Sequence, residues 1–181
     1  MANISLVDPA AAPAAVKPTL DQIKGAFGVV PNMFKAVANS PAALTSLWGA
    51  FGALGGGTLG ARLGEEIAVA IANANACEYC LAAHTALGRK AGATSDEMAA
   101  AQAGVSADPR TQAALTFALK VVRDRAAVSA DDVATLKAAG FDDEGVVEII
   151  AHVALNLFTN YVNVALDVPV DFPSIALKRA G

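Results

Sequence analysis

Charge is scarce in this 181-residue chain: Asp, Glu, Lys and Arg make up 17% of it, against 55% hydrophobic residues. A single domain with so few charges must leave apolar surface in water or bury it against copies of itself, so a homo-oligomer is expected. Basic clusters are missing as well, and the net charge is −4, which argues against nucleic acid as a partner. The first twenty residues hold neither a basic leader nor a long apolar run, so no secretory signal and a cytoplasmic location are expected. Two cysteines are too few for a disulfide scaffold. The longest uncharged stretch, Ala36–Ala61, is interrupted by Pro41 and broken by Gly55-Gly56-Gly57, which predicts a core helix and a glycine loop rather than a membrane span. No segment alternates like a strand, no internal repeat is present, and no glycine-rich phosphate loop announces a nucleotide cofactor. What the chain has in quantity is alanine, which favours helix and lets helices approach closely. The expectation is one all-α domain, long enough for a proper core.

Residues 1–18 are rich in Ala and Pro and predict an extended arm able to dock on a neighbour; residues 19–181 make the helical domain. Thr19 is expected to cap a helix through Phe27, with Gly28 as its stop. A short helix over Met33–Asn39 follows the turn Val30-Pro31-Asn32. Ser40-Pro41 then opens a helix to about Leu54, with Leu44, Leu47, Trp48 and Phe51 on its core face. Thr94 to Glu97 has the form of a capping box, Asp108-Pro109 starts a helix through Arg125, and Ser129 caps Ala130–Ala139. The last and longest helix, Asp143–Leu166, carries a polar stripe of Glu148, His152, Asn156, Thr159 and Asn163, expected to form a subunit contact or else to line the site below. Trp48, Phe51 and Phe117 read as ordinary core residues.

Chemistry concentrates in Glu65–Gly92. Both cysteines lie there as Cys77-Glu78-Tyr79-Cys80, and one of the two histidines, His84, follows four residues later. On a helix that spacing puts Cys80 and His84 on one face. Asn73, Asn75 and Ala76 read as a helix end and a short turn, with Glu78–Lys90 as the next helix. The cysteines then sit at a helix N-terminus, where free N–H groups and the macrodipole favour a thiolate. An adjacent imidazole can take the thiol proton, and a second thiol can trap an oxidised first one as a disulfide. On the preceding helix, Ile67, Ala70, Ile71 and Ala74 form one apolar stripe and Val69, Ala72 and Ala76 the opposite one. Glu65 falls on the second stripe and Glu66 on a flank, so Glu65 is the carboxylate that needs a partner.

Glu65, eleven residues, Cys77-x-x-Cys80, three residues, His84 resembles the signature of the AhpD-like alkylhydroperoxidase family within the carboxymuconolactone decarboxylase superfamily. Val30-Pro31-Asn32, Asn156-Leu157-Phe158-Thr159-Asn160-Tyr161 and Asp171-Phe172-Pro173 resemble its peroxidase-related branch. The resemblance implies an all-helical bundle, assembled as trimers or hexamers, that reduces organic hydroperoxides with a dithiol. It implies Cys80 as the attacking thiol, Cys77 as the resolving one, and His84 and Glu65 as members of a proton relay. It also implies an external dithiol or thiol reductant, of a lipoyl type, and no cofactor or metal. Two departures stand out. Tyr79 occupies a position where well-studied members have histidine, and tyrosine is a poor base near neutrality. Ala76 stands where many relatives have glycine, which argues against a left-handed backbone there or for strain.

Other readings of the same residues are a zinc site from Cys77, Cys80, His84 and His152, although positions i, i+3 and i+7 of one helix converge poorly on a tetrahedron. A thiol–disulfide oxidoreductase, a lactone decarboxylase without need of the dithiol, and a binding or scaffold module complete the set.

Overall fold

A computed structural model describes residues 2–178, and all regular structure among them is helical. The helices are α1 (Lys17–Phe27), α2 (Asn32–Val37), α3 (Pro41–Gly55), α4 (Ala61–Ala74), α5 (Glu78–Lys90), α6 (Ser95–Gln102), α7 (Pro109–Arg123), α8 (Ala130–Ala138) and α9 (Asp143–Ala165). The helix α4 is the hub, packed against α5, α6, α7 and α9. Ile67, Val69, Ile71 and Ala72 of α4 are wholly inaccessible, as an apolar circumference demands. Burying each of the two isoleucines contributes about 1.5–3 kcal/mol.

Short polar side chains set most helix starts. Ser40 Oγ accepts from Ala43 N–H at 3.2 Å, and Asp108 Oδ2 accepts from Thr111 N–H at 2.8 Å. Thr94 with Glu97, and Ser129 with Asp132, close full capping boxes at α6 and α8.

One cap differs from the expectation, and one start carries no local mark in the sequence. Thr19 is not a cap, because α1 begins at Lys17: Pro13 O takes the N–H groups of Val16 and Lys17, and Pro18 sits in the first turn, where no N–H is missed. The helix α4 begins at Ala61, four residues before Glu65. Gly60, at φ +77°, turns the chain into it, and the Glu148 carboxylate of α9 accepts from Thr58 N–H, Thr58 Oγ1–H and Leu59 N–H.

The described part of the N-terminal arm lies on its own chain. Asn3 N–H donates to Leu166 O at 2.7 Å, Val7 N–H to Lys35 O at 3.1 Å, and Asn39 Nδ2 to Ser5 O at 2.8 Å. Among the described residues, α9 alone is long and apolar enough to cross a membrane by length and composition. It packs instead against α2, α3, α4, α5, α7 and α8 and turns a run of polar side chains inward.

Candidate active site

The junction between α4 and α5 is a Schellman turn. Cys77 N–H reaches Ala72 O at 2.8 Å and Ala76 N–H reaches Asn73 O at 3.2 Å, which requires a left-handed residue at position 76. Ala76 adopts φ +53°, so the left-handed backbone forms without glycine, at a cost of about 1–2 kcal/mol. The turn leaves Cys77 as the N-cap of α5, its Sγ accepting from Cys80 N–H at 3.3 Å. Both thiols are free and buried.

The expected proton-relay pair is in contact. His84 Nδ1 lies 2.7 Å from Glu65 Oε2; a carboxylate only accepts, so Nδ1 carries the proton and Nε2 is left for chemistry. Gly88 makes this approach of α4 to α5 possible: a Cβ there would stand 3.2 Å from Glu65 Cβ and 2.5 Å from Met98 Cε.

Burial of the two glutamates runs against the helical wheel. Glu66 is the inaccessible one, at 4% exposure, bonded to Arg62 Nε at 3.2 Å, while Arg62 Nη2 meets Glu97 at 2.6 Å. Burial raises the Glu66 carboxyl pKa. Glu65 keeps partial solvent contact. The wheel erred because Arg62 and α6 cover the side of α4 that bears Glu66, while the side that bears Glu65 keeps some exposure.

The polar stripe of α9 also differs from the favoured subunit-contact reading. Asn156, Thr159 and Asn163 are buried within the chain, together with Asn160, and Asn163 Nδ2 donates to Cys80 Sγ at 3.2 Å. His152 is half-buried over Gly64, where an added Cβ would lie 3.1 Å from its Cε1. Desolvation lowers its pKa, with Glu148 and Glu65 opposing and His84 assisting. Glu148, by contrast, is spent on the loop before α4.

Above Cys80 lies a cavity of about 40 Å³, room for a group the size of one or two waters. His84 and Thr159 are its polar lining, and Phe27, Phe34, Phe51, Tyr79 and Phe172 supply rings. Phe51 is therefore a wall of the site as well as core. Tyr79 accepts Met33 N–H at 3.2 Å and stacks edge-on against Phe172, and burial raises its phenol pKa, so it is a wall and not a base.

The electrostatics separate the two thiols. Burial pushes Cys80 up, but its hydrogen bond with Cys77, the charge of His84, and the amides of Asn163 and Asn160 more than compensate, and the net shift is downward. Cys77 moves the opposite way, raised first by its bond with Cys80 and then by burial. Burial would lower His84, yet the charge and hydrogen bond of Glu65 raise it overall. The arrangement can hold a thiolate–imidazolium pair with a neutral thiol alongside. Among the described residues, no group of three or more His, Cys, Asp or Glu is placed to hold a metal ion.

The carboxymuconolactone decarboxylase family model matches residues 40–124, a span that includes both cysteines, His84 and Glu65. No curated protein sequence matches the chain. Among solved structures, a peroxidase-related protein from Silicibacter sp. TM1040 superposes with a TM-score of 0.81 at 26% identity, covering 97% of this chain and 92% of its own. A peroxidase-related protein with an alkylhydroperoxidase AhpD core, from Ralstonia eutropha JMP134, gives 0.81 at 29% identity, over 94% and 92%. The debrominase Bmp8, solved with 2,3,4-tribromopyrrole, shares the fold at a TM-score of 0.79 and 20% identity, over 93% and 91%.

Proposed function

The chain belongs to the AhpD-like carboxymuconolactone decarboxylase superfamily, and on that premise we propose that it reduces organic hydroperoxides with the Cys77/Cys80 dithiol. The observation that carries this reading is the convergence of Glu65, His84 and Cys80 from two helices, with Cys77 capping the helix that bears Cys80.

His84 Nε2 takes the Cys80 proton, and Glu65 stabilises the imidazolium formed. The thiolate attacks the outer oxygen of R–O–O–H. An S–O bond forms, the O–O bond breaks, and R–O⁻ leaves with the proton returned by His84, giving R–OH and Cys80–SOH. Sulfur loses two electrons and the peroxide gains them. Cys77 then attacks the sulfenic sulfur, an S–S bond forms, and its proton leaves with the hydroxyl as water. An external dithiol, of a lipoyl type, reduces the disulfide and resets the enzyme.

The cavity has room for the O–O–H end of a hydroperoxide beside Cys80, and its aromatic walls, with no charged lining residue other than His84, suit an apolar group next to it. Exchange with a protein disulfide fits less well, since Cys77 and Cys80 are 1% and 2% exposed. Lactone decarboxylation uses no dithiol, so it would survive replacement of both cysteines by serine.

Hydroperoxide consumption with a dithiol reductant tests the proposal. Cys80→Ser should abolish turnover, whereas Cys77→Ser should consume about one equivalent and stop. Wild-type rates from the Cys80→Ser protein would overturn the scheme.

A further inference from the structure

Three buried polar atoms of α9 lack a hydrogen-bond partner among the described residues: Asn156 Oδ1, Asn160 Nδ2 and Asn163 Oδ1. Native interiors rarely leave such atoms unpaired, and each one asks what it is for. Asn160 is the most informative. It is 0% exposed, and Asn75 Nδ2 donates to its Oδ1 at 2.9 Å. That bond orients the amide, because the oxygen must face Asn75 and the NH₂ must face away. The NH₂ group so turned makes no hydrogen bond of its own, lies on the helix face that Asn163 shares, and favours the charged form of Cys80. Asn163, one turn further along the same face, already donates to that sulfur at 3.2 Å.

We propose that Asn160 and Asn163 form an amide-donor pair that holds Cys80 as a thiolate, the sulfur counterpart of an oxyanion hole. A neutral thiol is a weak acceptor, so two amides facing it are poorly used. A thiolate accepts strongly, and hydrogen bonds to an ionised acceptor are about twice as strong as neutral ones. The pair therefore contributes to the charged form far more than to the protonated one, and it does so in a buried place where donors cannot turn to solvent. The helix dipole and His84 act from the α5 side; the two asparagines act from the α9 side, so the sulfur is held between them. Asn75 is a positioning residue in this arrangement, and its place is set by the left-handed turn at Ala76. The proposal rests on the reading of Cys80 as the reacting thiol.

The test is the pH dependence of thiolate ultraviolet absorbance, taken as each protein minus its own Cys80→Ser counterpart. It needs neither peroxide nor reductant. Asn163→Leu and Asn160→Leu should each move the Cys80 inflection upward by about one pH unit, a tenfold loss of thiolate on the acid side. Asn163→Asp, nearly isosteric, should move it further by placing a carboxylate at the sulfur. Asn156→Leu, on the same stripe but without a bond to the sulfur, should leave it in place. Melting curves identify any leucine variant that fails to fold; Asn163→Asp and Asn160→Ser then decide. An acidic wild-type inflection that none of these substitutions moves overturns the amide pair and leaves the peroxidase reading standing. A wild-type inflection at the free-cysteine value overturns both.

Discussion

Two carboxylates one position apart on α4 do different work. Glu65 holds His84, and Glu66 is locked to Arg62 on the side facing α6. Replacing Glu65 by Gln removes the charge that raises His84, so the imidazole gives up its proton at lower pH and no longer stabilises the Cys80 anion. The Cys80 inflection should then move up, and peroxide reduction near neutrality should fall by about tenfold. Glu66→Gln should leave that inflection alone, which a stopped-flow comparison of the two variants would check. Sequence spacing was enough to bring Glu65, Cys77, Cys80 and His84 into one proposal. It could not reveal Asn160 and Asn163, because polar residues at steps of three and four look the same facing solvent, a subunit or a buried sulfur. The wheel ranking of Glu65 over Glu66 by burial failed for a related reason: a projection shows which residues share a face, not what is packed against it.

Helix starts marked by a local side chain were readable, as Ser40, Thr94, Asp108 and Ser129 illustrate, because each cap satisfies N–H groups two or three residues away. The start of α4 was not, since the N–H groups before it are satisfied by Glu148, ninety residues later in the chain for Thr58. The turn between α4 and α5 gives a test at this scale. Ala76→Gly relieves the left-handed strain while adding freedom to the unfolded chain. The net effect should be about 0.5–1 kcal/mol of stabilisation, seen as a melting temperature higher by about 2–3 °C. An unchanged or lower melting temperature would mean that alanine is not strained in this turn.

At the scale of the whole molecule, the outer face of α9 is the feature that the single chain leaves unexplained. Val147, Ile150, Phe158, Tyr161 and Val164 are five of the eight large exposed apolar residues among those described. No charge interrupts that face, so two copies can meet there without repulsion. We propose that it is the contact through which the chain forms a homo-oligomer, as its low charge content led us to expect. Val147→Lys with Tyr161→Lys should shift the sedimentation coefficient to that of a monomer while leaving the Cys80 inflection unchanged. A monomeric wild type, or an oligomer indifferent to both lysines, would remove this face from the interface. The all-helical class and the glycine loop before α4 were legible from composition and breakers. Which faces met inside the chain was not, because from Asn156 onward α9 turns polar residues in and apolar residues out, the reverse of the usual order.

Cys80 should be ionised where an ordinary cysteine is not, and the difference absorbance of wild type against Cys80→Ser, followed from acid to alkaline pH, measures that directly. The predicted result is a thiolate step well below the free-cysteine value of about 8.5. A single step at or above the free-cysteine value would contradict the account.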